Sequence, residues 1–309
     1  MSNKATREAL GETLVELADE GIDVVAVEAD LSKSTTTAKL GDKYEERLFN
    51  VGIAEANMID VAAGLTLAGK IAFTGSFAVF ATGRAYDQIR NTVCYSNLNV
   101  KLSPTHSGIS VGPDGGSHQM IEDLALMRVL PGMRVLVPAD YHSAKAALRV
   151  AALTPGPFYI RLGRAGAEEV YPADHEFVVG KANVLREGSD VTIAACGLMV
   201  GAALKASDSL ADEGISAEVI DVASIKPIDS ETILASARKT GAVITAEEHS
   251  IIGGLGSAVA EVLSEGAPTK LTRVGVRDVF GTSGDPDELM AYYGLTATDI
   301  ASAARDLIG

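Results

Sequence analysis

Two stretches of this chain carry side chains whose types and spacing point to chemistry. The first is 49–58, F-N-V-G-I-A-E-A-N-M, which sets one carboxylate, Glu55, inside a small, apolar run. Asn50, Gly52 and Asn57 can turn and cap the backbone there, and 59–67 can continue as a buried helix. A carboxyl group in such a place is costly unless a partner shares a proton or hydrogen bond with it. Capping a helix N-terminus is the plain structural role for a lone glutamate of this kind. The second stretch is 105–119, T-H-S-G-I-S-V-G-P-D-G-G-S-H-Q, which holds His106, Asp114 and His118 among Gly108, Gly112, Gly115 and Gly116. None of these makes an i, i+4 ligand pair on an expected helix. Contacts to substrate hydroxyls and proton transfer therefore suit them better than a metal. A glycine-rich surface loop with incidental histidines fits the same letters equally well.

The elements that would position these residues follow from periodicity. A helical pattern over 5–18 leads into a short β-branched run at 22–27, which ends at Glu28-Ala29-Asp30. A polar stretch, 31–47, and the Glu55 segment come next. Strands are then expected at 71–74, 99–104, 134–138 and 158–161, with helices at 81–97, 119–129 and 141–152. Residues 166–188 interrupt the rhythm with Tyr171-Pro172, Asp174 and His175 and read as a linker. A second alternation follows, with strands at 191–195, 217–222, 242–246 and 270–276 and helices at 200–213, 230–237, 256–264 and 297–308. The expected fold is α/β: two domains, 1–165 and 189–309, each a mostly parallel sheet flanked by helices. In the first domain the polar residues gather at strand ends, where such sheets bind ligands. Asp30 and Ser34 follow one strand, Ser76, Phe77 and Phe80 another, the 105–119 loop a third, and Arg161 and Arg164 a fourth.

Two features of the second domain invite a function and are read as structural. Gly253-Gly254-Leu255-Gly256 lacks the full dinucleotide fingerprint, because Val259 holds the third glycine's place, so a close-packed helix start is expected. Glu247-Glu248-His249 could suggest a metal, but adjacent strand residues face opposite ways; a solvated strand terminus or an interface is expected.

The 309 residues carry a net charge of −15, which excludes nucleic acid and anionic membrane surfaces as partners. It does not exclude a phosphorylated substrate held in a local basic pocket. Cys94 and Cys196 lie far apart without metal-ligand spacing and read as reduced structural thiols. No apolar run reaches membrane-spanning length, and 1–13 has no signal-peptide core, so a cytoplasmic protein is expected.

Taken together, G-I-A-E-A-N-M (52–58), G-S-F-A-V-F (75–80), the 105–119 loop, L-P-G-M-R-V-L-V-P-A-D (130–140) and I-R-L-G-R-A-G (160–166) resemble the C-terminal part of transketolase. That part is a pyrimidine-binding domain followed by a C-terminal domain, and the likeness covers nearly all of 5–309. The resemblance implies thiamine diphosphate as cofactor, with Glu55 hydrogen-bonded to the pyrimidine ring and favouring the tautomer that activates the thiazolium carbon. It implies that Phe77 and Phe80 pack on the pyrimidine, that Asp30 lies on the cofactor side, and that Asp114 and His118 contact the ketose hydroxyls. Arg7, Ser34, His106 and Arg164 match the grip on the sugar phosphate, and Glu55, His118 and His106 are the implied catalytic set. A third aromatic usual in the family falls at Gly83. The G-D-G…N motif that holds the diphosphate and Mg²⁺ is missing, since Gly41-Asp42-Lys43 is not one. The resemblance therefore implies half of a split enzyme: a partner subunit carries the diphosphate and Mg²⁺ site, in an α2β2 assembly, and this chain has no metal site. Competing readings are a split transketolase for a branched, deoxy or sulfonated sugar, a deoxyxylulose phosphate synthase, a 2-oxoacid dehydrogenase β subunit, and a non-catalytic partner.

Overall fold

Runs such as V-V-A-V-E and V-T-I-A-A are buried along their whole length. Such runs must pair on both edges and be covered by helices on both faces. In the structure, a computed structural model that describes residues 4–309, they build two sheets. Met1–Asn3, where the first domain was expected to begin, lie outside the described residues.

The strands in chain order are β1 (Val24–Glu28), β2 (Leu48–Asn50), β3 (Ile71–Gly75), β4 (Val100–Leu102), β5 (Arg134–Leu136), β6 (Phe158–Ile160), β7 (Asn183–Arg186), β8 (Val191–Ala195), β9 (Ala217–Asp221), β10 (Ser224–Lys226), β11 (Ala242–Ser250) and β12 (Lys270–Val276). The first sheet has the order β10-β5-β6-β4-β3-β1-β2 and the second β12-β11-β8-β9-β7. Pairing is parallel throughout, except that β10 runs antiparallel to β5 and β7 antiparallel to β9. The second half of the chain thus lends β10 to the first sheet. One apolar cluster runs from Val27 and Met58 through Leu124 and Met127 to Leu255 and Val259, so the two halves share a core.

Several segments differ from expectation or gain detail. The linker is shorter than 166–188, because β7 lies within that stretch and pairs with β9. The polar stretch 31–47 holds short helices, and the chain just beyond it forms β2. The helix expected over 81–97 is three pieces: Ala78–Gly83, Tyr86–Gln88 and a π-helical Ile89–Tyr95. The wider turn lets Ile89, Val93 and Cys94 all face the core. The helix expected from 119 begins at Asp123, because the Gln119 side chain is taken up by the carbonyls of Ile109, Gly112 and Thr282.

Glu247 and Glu248 are not a solvated strand terminus; both are buried, as is His249. Glu247 accepts the backbone N–H groups of Leu255 and Gly256 at 2.6 and 2.8 Å and so caps helix Leu255–Gly266. A Cβ on Gly254 would lie 2.0 Å from the Glu247 carboxylate, which explains the glycines as a close-packed helix start. Glu248 and His249 face the first domain instead, the interface half of the expectation.

Candidate active site

The C-terminal ends of β1, β2, β3, β4 and β6 open on one side of the first sheet, and every candidate from the first domain except Arg7 leaves from one of them. Glu55 opens helix Glu55–Leu67 after β2 and is 3% exposed. Its carboxylate accepts from Ser76 Oγ at 3.2 Å and from Arg84 Nη1 at 3.3 Å. Both bonds are long for a buried carboxylate. The Arg84 guanidinium also lies 4.1 Å from the centre of the Phe80 ring. Phe77, just before helix Ala78–Gly83, and Phe80, within it, stack with centroids 6.0 Å apart and planes 20° apart. A Cβ at Gly83 would meet nothing within 4 Å, so the aromatic wall is open there and Arg84 is its neighbour.

From Phe77 the surface continues to the histidines. His106 stacks on Phe77 at 3.8 Å, and His118 meets Phe80 edge-on at 5.3 Å. His106 Nδ1 lies 2.8 Å from Thr105 Oγ1, and Nε2 faces Arg7 Nη1 at 3.5 Å. Arg7 also donates to the Ser34 carbonyl at 3.0 Å. Arg164 donates to the Val111 carbonyl at 2.6 Å and reaches Asp114 at 3.4 Å. Arg164 does not pair with the carboxylates of 168 and 169; Glu168 takes Lys205. Arg7 arrives because the start of its helix pairs with the chain after β6: Ala5 bridges Gly166, and Gly163 N–H donates to Thr6 Oγ1.

The electrostatics of this end are lopsided. Burial, then Arg7, Arg164 and His118, push the His106 imidazole down to about 3, so it is neutral. Burial and then Arg164 lower Arg7 as well, and its buried Nε has no partner. Groups that disfavour one another's positive charge make a place where an anion is stabilised. At the other end, a buried carboxylate with two long bonds beside two stacked rings suits a flat heteroaromatic ring that donates a hydrogen bond. That donor set fits the pyrimidine half of thiamine diphosphate. Among the described residues, no three His, Cys, Asp or Glu side chains are grouped to hold a metal ion.

Asp30 and His106 hold left-handed backbone, with φ of 66° and 59°. Such conformations cost of order 1–3 kcal/mol and persist where the surroundings fix them. Asp30 accepts from Asn50 Nδ2 at 2.9 Å, and Asn50 Oδ1 accepts from Gly52 N–H, which sets the approach to Glu55.

Sequence reasoning missed Arg84 and Glu28. Arg84 could have been found as the cation next to Gly83. Glu28 is fully buried, and its Oε1 accepts the hydroxyls of Thr35 and Thr37, each at 2.5 Å, while Oε2 has no partner. Between them Thr36 is left-handed (φ 74°) and donates to the Arg7 carbonyl. Glu28 thereby pins the segment that presents Ser34 to Arg7. The signal was a threonine triplet just beyond a strand that ends in a carboxylate.

The whole chain has relatives. The family model for the transketolase pyrimidine-binding domain matches residues 2–169, and the model for the transketolase C-terminal domain matches 180–300. A chain provisionally named as a transketolase C-terminal section in Methanocaldococcus jannaschii is 50% identical over 301 residues, 96% of this chain and 94% of its own length. A 6-deoxy-6-sulfo-D-fructose transketolase subunit from Clostridium sp. (strain MSTE9) is 47% identical over 97% of this chain and 94% of its own. A solved structure described as a split gene transketolase, inactive β4 tetramer, superposes with a TM-score of 0.91 at 54% identity over 98% of both chains.

The Glu28 carboxyl has a measurable consequence. Burial pushes it up to about 7 against the hydroxyl bonds that oppose the shift. The folded chain then keeps a proton that the unfolded chain releases above about pH 4.5. Stability conferred by this group is present at low pH and is lost as pH rises toward 7. Glu28→Gln stays neutral throughout. Its unfolding free energy relative to wild type should therefore improve between pH 5 and pH 8, by up to about 3 kcal/mol. Denaturant titrations at both pH values measure this, and a difference that does not change with pH contradicts the assignment.

Proposed function

This chain belongs to the transketolase family, and from that premise we propose that it is the C-terminal subunit of a two-chain, thiamine-diphosphate-dependent transketolase. It would take a two-carbon ketol unit from a ketose phosphate and hand it to an aldose. The observation that carries the reading is one continuous surface, from Glu55 through Phe80, Phe77 and His106 to Arg7 and Arg164. It has the right order for a cofactor ring at one end and a charged sugar terminus at the other.

Thiamine diphosphate, when bound, supplies the carbon nucleophile and electron sink for the ketol unit. Glu55 holds the proton at the pyrimidine nitrogen, and Phe77 and Phe80 fix the ring's plane, with Asp30 on the cofactor side. His118 and Asp114 meet the sugar hydroxyls, and His118 moves a proton at the substrate oxygen. Ser34, His106, Arg7 and Arg164 take the terminal anion, whose charge relieves the repulsion between the two arginines and lets His106 donate. We assign the diphosphate and its Mg²⁺ to a partner subunit in an α2β2 assembly, a reading supported by the match to a transketolase C-terminal section and a transketolase subunit over 94% of their own lengths. The solved relative's description as an inactive β4 tetramer supports the view that a chain of this kind is incomplete alone. A cytoplasmic setting accords with two free, buried cysteines and with the absence, among the described residues, of any helix long and apolar enough to cross a membrane. A sulfonated sugar is the second reading, favoured by the likeness to a sulfofructose transketolase subunit and by a guanidinium pair that suits either tetrahedral anion.

The purified chain, given thiamine diphosphate, Mg²⁺, xylulose phosphate and ribose phosphate, should show no ketol transfer, and addition of the diphosphate-binding subunit should restore it. Robust turnover by the chain alone would sink the split-subunit reading.

In the assembled enzyme, Glu55→Gln keeps the shape but cannot serve the proton at the ring. Hydrogen–deuterium exchange at the thiazolium carbon should slow by about 10²–10⁴-fold, with assembly intact. Unchanged exchange removes Glu55 from the mechanism.

Arg164→Ala should reduce kcat/KM about ten- to a hundredfold for phosphorylated donors, since a charge-assisted bond is worth about 1.5–3 kcal/mol. Hydroxypyruvate, too short to reach the anion site, should lose little. Equal losses for both donors would mean the arginine acts through stability or through its hold on the Val111 carbonyl, and not through the anion. A sulfonated donor in the same assay decides between the two readings.

A further inference from the structure

The 105–119 loop is neither a surface loop nor held by its own domain alone. Helix Pro286–Tyr292 and the segment before it pack along it, and each contact is close. Glu248, on β11 of the second sheet, accepts the Ser110 N–H through Oε1 at 2.5 Å and is 5% exposed. A Cβ on Gly108, whose φ is +82°, would lie 2.3 Å from that same oxygen, and one on Gly116 would lie 2.5 Å from the Gly281 carbonyl. Gln119 Nε2 donates to the Thr282 carbonyl at 2.9 Å. Two glycines of the loop are thus places where the second domain touches the loop backbone, and a buried carboxylate reaches across the junction for one loop amide.

We propose that the second domain is the template that shapes the loop carrying Asp114 and His118, and that Glu248 is its positioning residue. Glu248 touches neither cofactor nor sugar in this scheme; it fixes Ser110 at the start of the short 3₁₀ stretch Ile109–Asp114, which kinks at Gly112 (φ 81°, ψ −122°) and ends at Asp114, and so it sets where the path to Asp114 begins. Arg164 closes the same turn from the first domain through the Val111 carbonyl, so the turn is held from both sides. A displacement of about 1 Å in such a loop is enough to cost on the order of a hundredfold in rate. The catalytic consequence rests on the transketolase reading, because that reading places the sugar against Asp114 and His118. The clamp itself does not rest on it.

Reach and charge can be separated at this residue. Glu248→Gln keeps the reach to Ser110 and loses the charge, whereas Glu248→Asp keeps the charge and falls one methylene short. In the full chain, amide hydrogen exchange over 106–119 should quicken about tenfold or more in Glu248→Asp and stay near wild type in Glu248→Gln. In the assembled enzyme, Glu248→Asp should raise KM for the ketose and lower kcat/KM by up to about a hundredfold. Exchange at the thiazolium carbon should be unchanged, and Glu248→Gln should restore the kinetics. If Asp behaves as wild type, or Gln loses as much as Asp, the residue is only a structural charge and the proposal falls. If the assembled wild-type enzyme transfers no ketol unit, the functional reading fails, and the amide exchange alone then decides the clamp.

Discussion

A guanidinium stays charged in a folded protein and carries five donors, so a buried one dictates what surrounds it. Arg161, just past β6, is 7% exposed. Its Nε donates to Asp123 at 2.7 Å, and its Nη2 donates to the carbonyls of Met120 and Glu248 at 3.1 and 3.0 Å. Tyr159 adds a hydroxyl bond to the same Asp123 oxygen. Burial by itself would raise Asp123, but the adjacent guanidinium holds it below the usual carboxylate range. Losing one partner of such a pair typically costs about 3–5 kcal/mol, because the other charge is left in a dry interior. The three acceptors come from the turn before helix Asp123–Arg128, from its first residue, and from β11. One arginine thus sets how far the second sheet stands from the first.

Much of the site depends on that separation. The loop between Thr105 and Gln119 is tied within itself, from Gln119 to the Ile109 and Gly112 carbonyls and from the His118 N–H to the Gly115 carbonyl, and it is seated by what lies on either side. With the sheets held at this spacing, Glu248 reaches Ser110 and Gln119 reaches Thr282. His106 is then pressed against Phe77, where burial first and the nearby arginines second keep it neutral. The carboxylates divide the labour by environment. Glu247 spends itself on a helix terminus, Glu28 on two threonines, Asp123 on Arg161, and Glu55 keeps only two long bonds. Among these bonds those of Glu55 are the longest, which leaves that carboxylate the freest to take the ring our reading sets there.

The alternation of apolar runs with amphipathic stretches made both sheets legible, because buried parallel strands leave no other pattern. The gathering of polar residues after strands was legible for the same reason, since ligand groups must stand where the sheet backbone ends. Less legible were β10 and the shape of 81–97. A three-residue strand that joins a distant sheet has no local periodicity, and a π-helical segment differs from an α-helix by one residue per turn. Glu248 was read only as half of an adjacent acidic pair, since nothing local says which of two buried carboxylates faces the first domain.

What the sequence by itself determined is the list of groups and the end of the sheet on which they stand. Glu55, Phe77, Phe80, His106, Asp114, His118 and Arg164 all follow strands or open helices that local pattern predicts. Arg7, on the face of a helix, has no such signal. It reaches Ser34 and His106 because Ala5 pairs with Gly166, across most of the first domain in sequence. Tertiary structure alone decided that pairing, the neutral state of His106, the raised carboxyl of Glu28 and the hold of Glu248 on Ser110. The physical reason is range: strand and helix patterns are short-range and repeat within a few residues, whereas burial and charge depend on neighbours that only the folded chain brings together.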